Sequence, residues 1–256
     1  MAVHRPSVLV TGGAKRVGAA IARAFGAAGW HVVIHYHRSS AEAEALAAQL
    51  DSAETVVCDL ADGDASAAMI AALAARLKDW SALINCAGIF QPDAVTALDP
   101  DTNTRAMQIN ARSPARMAQA YLQHARADNG RRVIMVTDQK LANPNPDFFS
   151  YTMSKHALGA TVPMLAMGAA GSDDRVYALA PGAILPSHDQ SEAETEISHR
   201  LNLLRRKTAP EEVAEAALFL ADGVLATGQT LFVDSGQHLL AQDRDVIFLA
   251  REGASA

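Results

Sequence analysis

The sequence predicts an α/β fold, one domain doubly wound about a parallel sheet, and three observations carry that prediction. Short apolar runs of strand type alternate with stretches of helical composition from residue 7 to residue 233. Strands separated by helices of this length imply parallel βαβ units. At 256 residues, 50% apolar and 20% charged, the chain has the make-up of a soluble globular protein with a substantial core. No linker is long or polar enough to divide it and no repeat beyond the βα rhythm is visible, so residues 1–256 are read as a single domain.

In order, Ser7-Val8-Leu9-Val10 reads as a strand that runs straight into Thr11-Gly12-Gly13-Ala14-Lys15-Arg16-Val17-Gly18, after which 19–28 has helical spacing. Strand, glycine-rich turn and helix is the context that turns a loose glycine motif into a dinucleotide site. The glycines permit a tight turn and close backbone approach, and the helix N-terminus offers amide donors to a pyrophosphate. A second strand over 31–36 ends in the basic and polar group His37-Arg38-Ser39-Ser40, followed by an alanine-rich helix to Leu50. The tip of the second strand in such a sheet meets the adenosine ribose. An acid there would accept from the 2′-hydroxyl, whereas Arg38 with Ser39 suits a 2′-phosphate, so NADP(H) is expected over NAD, with help from Lys15 and His37. A solvated basic turn is the bland alternative.

The alternation continues with a strand over 55–58 ending in Asp59-Leu60, a helix over 64–78, a strand over 82–86, a helix over 102–126 and a strand over 132–137. A helix carrying Tyr151 and Lys155, a strand over 176–180, a helix over 210–222 and a strand over 229–233 complete the series. Pro163 removes a backbone donor inside its helix and predicts a kink; Met164 and Met167 behind it predict core or subunit packing. Two less regular stretches, the proline-broken Asn143-Pro144-Asn145-Pro146 and the charged 182–207, follow strands at their carboxyl ends. Ligands bind at those ends in open α/β sheets, so both stretches are candidate substrate walls or lids.

Composition narrows the function classes. Apolar runs such as Val32-Val33-Ile34 fall far short of the roughly 18 residues of a membrane span. Residues 1–6 enter a strand with no charged leader and apolar segment, so a cytoplasmic location is expected. A net charge of −6 with pI ≈ 5.8 argues against a nucleic-acid partner. Cys58 and Cys86 close apolar runs that are not neighbours in a doubly wound sheet, and are expected as free buried thiols. No metal site is expected.

Asp138 and the run Tyr151-Thr152-Met153-Ser154-Lys155 form the group best suited to proton transfer. A tyrosine and a lysine four apart share a helix face, so phenol and ammonium can address one reacting atom. An ammonium about 4 Å away at an effective dielectric near 20 would stabilise a phenolate by up to ~4 kcal/mol, about three pKa units below the usual value of about 10. Taken alone, a surface pair without chemistry is the simpler account of this spacing.

The glycine-rich turn, Asn85-Cys86-Ala87-Gly88 after the fourth strand, Asn110 in the next helix, Tyr151 with Lys155, and Pro181-Gly182 after the sixth strand stand in one order. With them the chain resembles the short-chain dehydrogenase/reductase family over nearly its whole length. The resemblance implies a Rossmann-type fold with a seven-stranded parallel sheet in the order 3-2-1-4-5-6-7, helices on both faces, and a homotetramer built on the helices around Asn110 and after Tyr151. It implies cofactor contacts from Gly12, Lys15, Arg16, Val17, Gly18, Asp59, Leu60, Asn85, Ala87, Gly88, Tyr151, Lys155, Pro181 and Gly182. In the implied mechanism Lys155 binds the nicotinamide ribose and lowers the Tyr151 pKa, and Asn110 holds a water of the proton relay.

Two departures sharpen the resemblance. Arg16 stands where the turn usually has its middle glycine, and Asp138 lies where the family usually has a catalytic serine. Both are similar to the pteridine reductase branch, which includes the bacterial dihydromonapterin reductases, as are His35-Tyr36-His37-Arg38-Ser39 and Phe90. Ser235 also replaces an expected glycine after Asp234. A pterin is a flat heteroaromatic with many donors and acceptors. Phe90 could stack on it, Arg16 could reach its edge and the cofactor phosphates, and Asp138 with Tyr151 could deliver a proton. Substrate contacts are thus expected from Arg16, Phe90, Asp138 and Tyr151. A ketone reductase and a nucleotide-binding regulator without turnover are the alternatives.

Overall fold

Seven apolar runs become seven parallel strands in the computed structural model, which describes residues 5–187 and 189–254. They are β1 (Ser7–Val10), β2 (His31–Tyr36), β3 (Ala53–Val57), β4 (Trp80–Asn85), β5 (Arg132–Val136), β6 (Arg175–Pro181) and β7 (Thr230–Val233). The sheet order is β3-β2-β1-β4-β5-β6-β7, as the resemblance implies. Val10 pairs with Ile34 of β2 on one side and Ile84 of β4 on the other. The strand order reverses beside β1, so the crevice at the carboxyl ends of β1 and β4 is where a ligand belongs in this architecture.

The two cores follow from the period-2 alternation of strand side chains. Leu9, Val33, Leu83, Val133 and Met135 point to one face. There they meet Ile70 and Leu73 of α3 (Gly63–Arg76), Met117 and Tyr121 of α5 (Ser113–His124), and Leu158 and Val162 of α6 (Phe149–Gly168). Val8, Val10, Ile34, Ile84 and Ile134 point the other way, onto Ile21 and Phe25 of α1 (Arg16–Ala27), Leu46 of α2 (Ser40–Ala47) and Val213 and Leu220 of α8 (Pro210–Ala221). Each of these fully buried side chains contributes about 1.5–3 kcal/mol. Both faces of the sheet are covered, so its strands read as continuous apolar runs.

Four expectations are corrected. The helix expected over 102–126 is two, α4 (Pro100–Met107) and α5, joined by a π-helical turn at Gln108–Arg112. Pro114 cannot donate to the carbonyl of Asn110 four residues back, and the widened turn accommodates that. The irregular 182–207 segment contains α7 (Glu192–Ser198), started by a capping box between Ser191 and Glu194. A further helix, α9 (Val246–Ala254), lies beyond the last strand, where no element was expected. Cys86 is only half-buried. Met164 and Met167 are exposed, which excludes the core and leaves the expected packing against a subunit. Pro163 sits within α6, which continues past it to Gly168. Among the described residues no helix is long and apolar enough to cross a membrane.

Candidate active site

The crevice at the switch of strand order begins with the glycine-rich turn. Gly12 has φ +63°, and a Cβ there would stand 3.0 Å from the Cα of Ala87. At Gly18, the first turn of α1, a Cβ would stand 2.2 Å from the Gly12 carbonyl oxygen. Only glycine lets the turn close this tightly against α1 and Ala87, and the concavity it leaves fits a dinucleotide pyrophosphate. Arg16 keeps φ +54° although it replaces a glycine, and Ser235 does the same at +54°. The backbone has retained the glycine conformation at both departures, at a cost of about 1–2 kcal/mol each.

Two residues to which the sequence reading gave no role hold this turn. Thr11 Oγ1 accepts from the backbone N–H groups of Cys86 (3.0 Å) and Ala87 (3.1 Å), fastening the turn to the end of β4. His35, buried at the end of β2, accepts from Gly12 N–H at Nδ1 (3.1 Å) and donates from Nε2 to the Cys58 carbonyl (3.1 Å). Gly12 can only donate there and Cys58 can only accept, so one neutral tautomer is selected. Burial holds the His35 pKa down to about 4, against the opposing hydrogen bond to Cys58. The available signal was a histidine inside an otherwise apolar buried strand.

Around the adenosine end, Lys15 pairs with Glu42 at 2.6 Å, His37 lies 3.7 Å from Asp59, and Arg38 is exposed beside them. Asp59 also accepts from Ala61 N–H. Leu60 is buried, its carbonyl taking the Ser113 hydroxyl at 2.7 Å. Ser39 precedes α2 without capping it through its side chain. Asn85 is buried at the end of β4 and donates to the Pro114 carbonyl at 3.4 Å. A cavity of about 450 Å³ opens from the turn, lined by Gly12 and Lys15 through Gly18, by Ala87, Gly88 and Phe90, and by Pro181 and Gly182. At its inner end stand Asp138, Tyr151 and Lys155.

That inner end is built by β5 and α6. Phe148 enters α6 with φ +52° and is buried against Tyr151 and Ile247. The Tyr151 hydroxyl donates to Asp138 Oδ2 at 2.6 Å. Lys155 Nζ donates to the Val136 carbonyl at 2.8 Å. Asn110, fully buried in the π-helical turn, accepts from Ile89 N–H (2.8 Å) and donates to the Ile89 carbonyl (2.9 Å) and the Ser154 hydroxyl (3.0 Å). Its amide therefore braces the Gly88-Ile89 loop against α6 between Tyr151 and Lys155. Phe90 lies face to face with Phe148 at 4.0 Å and meets Tyr151 edge-on at 4.6 Å.

The protonation balance differs from the sequence expectation. Burial first, and then the Asp138 charge, push the Tyr151 phenol well above its usual range. Lys155, whose ammonium donates to the Val136 carbonyl and whose own pKa is lowered by burial, does not reverse this direction. Asp138 is raised by burial, against its bonds from Tyr151 and Lys140 N–H. Tyr151 thus holds its proton, and a nearby carboxyl titrates above the ordinary range.

The far wall comes from 182–207, as expected, and from α9, which was not expected. Arg16 turns its guanidinium onto the carbonyls of Leu185 (3.3 Å) and Pro186 (2.9 Å), tying the glycine turn to 182–207. Val246 and Ile247 of α9 line the cavity. Arg251 of α9 holds Glu194 of α7 at 2.8 Å, and Arg244 holds Asp147 at 2.8 Å.

A tight glycine turn at the switch point, opening onto a tyrosine, a lysine and an acid, defines a dinucleotide-dependent oxidoreductase. Comparison with known proteins agrees. A family model described as enoyl-(acyl carrier protein) reductase matches residues 12–238. Pteridine reductase 1 of Leishmania tarentolae is 27% identical, over 91% of this chain and 96% of that protein. 3beta-hydroxysteroid dehydrogenase 1 of Eggerthella lenta is 30% identical, over 91% of this chain and 94% of that protein. The crystal structure of FolM alternative dihydrofolate reductase 1 from Brucella canis complexed with NADP superposes with a TM-score of 0.86 at 32% identity, covering 94% of this chain and 96% of that one. The chain belongs to the short-chain dehydrogenase/reductase family.

Proposed function

We propose that the protein is an NADPH-dependent reductase of pteridines, acting on a dihydropterin such as dihydromonapterin or dihydrobiopterin, with dihydrofolate as a further candidate. The observation that carries the proposal is the 2.6 Å bond between Tyr151 and Asp138 at the inner end of a cavity walled by Phe90. The likeness to the two pterin and folate reductases supports it.

The cofactor supplies a hydride when bound. Gly12 through Gly18 would hold its pyrophosphate, with Asp59, Leu60, Asn85, Ala87, Gly88, Pro181 and Gly182 as further contacts. Lys15, His37, Arg38 and Ser39 would hold a 2′-phosphate. Lys155, anchored on Val136, would hold the nicotinamide ribose. Phe90 offers an aromatic surface to a flat ring. Tyr151 keeps its proton to high pH and Asp138 lies beside it, so the pair holds a proton ready for a ring nitrogen and can replace it. Asn110 positions this group through Ile89 and Ser154 rather than touching substrate.

NADPH oxidation with dihydropterins and dihydrofolate tests the proposal; neither turnover nor binding of any of them would refute it. The hydroxysteroid dehydrogenase relative favours a second reading, a ketone reductase. That enzyme would turn over ketones and lose less activity in Asp138→Ala than in Tyr151→Phe. A cytoplasmic homotetramer also belongs to the proposal, supported by the exposed Met164 and Met167 of α6. Light scattering showing a monomer would refute that part.

A further inference from the structure

Lys140 and Asp245 form an ion pair in the cavity wall, yet no step above uses them. Lys140 Nζ lies 2.9 Å from Asp245 Oδ2, the two side chains are 3% and 9% exposed, and a second bond reaches Asn145 Oδ1 at 2.8 Å. Both residues line the cavity. Lys140 follows β5 in the same short turn as Asp138, and its backbone N–H donates to Asp138 Oδ1 at 2.9 Å. Asp245 caps the start of α9 by accepting from Ile247 N–H at 3.0 Å. The pair therefore joins the turn carrying the catalytic acid to the helix that closes the pocket. Desolvating two charges costs about as much as their attraction returns, so stability alone is a weak account of the pair.

Among the described residues, three charged groups face the Asp138–Tyr151 couple. Lys155 comes from α6, Lys140 from the turn after β5, and Asp245 from the approach to α9. Behind them Asp147 accepts from Asp245 N–H at 2.8 Å and pairs with Arg244. The Lys140 charge favours the ionised form of Asp138, and the Asp245 charge favours the protonated form of Tyr151. We propose that Lys140 and Asp245 are positioning residues that set, by their opposed charges, how readily the Asp138–Tyr151 couple holds and releases its proton. The inference rests on the proton-delivery role given to that couple.

Opposed charges make opposed predictions, which a merely structural pair does not. Lys140→Met removes the cation and leaves Asp245 bare, so the alkaline limb of kcat/KM for dihydropterin reduction moves to higher pH, by on the order of one unit. Asp245→Asn moves it to lower pH, and the double variant returns near the parent. Titration of the Asp138 carboxyl by NMR in carbon-13-labelled aspartate, assigned by its loss in Asp138→Asn, reads the same shifts without turnover. Opposed shifts in the titration support the proposal even when no dihydropterin is reduced, an outcome that overturns only the pteridine reading. Shifts of one sign, or unmoved titrations in well-folded variants, overturn the pair's role while leaving dihydropterin turnover intact. If Lys140→Met does not fold, the downward shift in Asp245→Asn decides.

Discussion

Acidification puts the His35 clasp to a direct test. His35 must stay neutral in the folded chain, because a protonated ring would turn a donor toward Gly12 N–H and bury a charge. Burial is the largest cause of its depressed pKa, about 4 against an ordinary 6.5. Because the folded value lies below the unfolded one, the unfolded chain takes up a proton first as pH falls. The clasp's contribution is complete above about pH 6.5, is reduced through the interval, and reaches its floor below about pH 4. A separation of about 2.5 units at 1.36 kcal/mol each is about 3 kcal/mol in all, of which about 2 kcal/mol is gone by about pH 5. Other groups titrate over the same range, so the comparison needs a variant that keeps the Gly12 bond without the ionisation. His35→Asn places an amide oxygen near Nδ1. Urea unfolding of both proteins from about pH 7.5 to about pH 5 should show the parent losing about 2 kcal/mol relative to the variant. A constant difference, or one that grows in the parent's favour, would refute the assignment.

Tyr151→Phe should lower kcat by ~100-fold or more while leaving NADPH affinity within a few fold, since the lost group donates a proton. The activity of the parent should fall as pH rises through the raised Asp138 value, because the carboxyl then gives up its proton; Asp138→Asn should abolish that limb of the profile. Arg16→Gly should change folding stability by no more than about 1 kcal/mol, because relief of the positive φ, about 1–2 kcal/mol, is offset by the loss of the two guanidinium bonds. The same change should speed hydrogen exchange in 182–207, whose Leu185 and Pro186 carbonyls lose their bonds from Arg16. Arg38→Ala should cut the preference for NADPH over NADH by ~10–100-fold, the value of a charge-assisted bond of about 1.5–3 kcal/mol; an unchanged ratio would remove Arg38 from the 2′-phosphate site.

The parallel strands and the glycine turn were legible in the sequence, because strand burial, helix periodicity and turn chemistry are local properties that residues a few places apart report, whereas the sheet order was an implication of the family resemblance. Asp138 and Tyr151 were legible as a pair because both lie in short stretches around one strand and one helix, and the structure joins them at 2.6 Å. What failed were statements about environment. The direction of the Tyr151 shift depends on burial and on the Asp138 charge beside it, and the Lys155 ammonium rests on the Val136 carbonyl, nineteen residues distant in the chain. The clasp of His35 on Gly12 spans |i−j| = 23, and the tie of Arg244 to Asp147 spans |i−j| = 97. No periodicity announces such contacts. By itself the sequence determined a doubly wound dinucleotide fold and the chemistry its crevice can attempt. Tertiary structure alone decided which charges face the proton-carrying pair and that α9 closes the pocket, because electrostatics and enclosure depend on distance in space rather than distance along the chain.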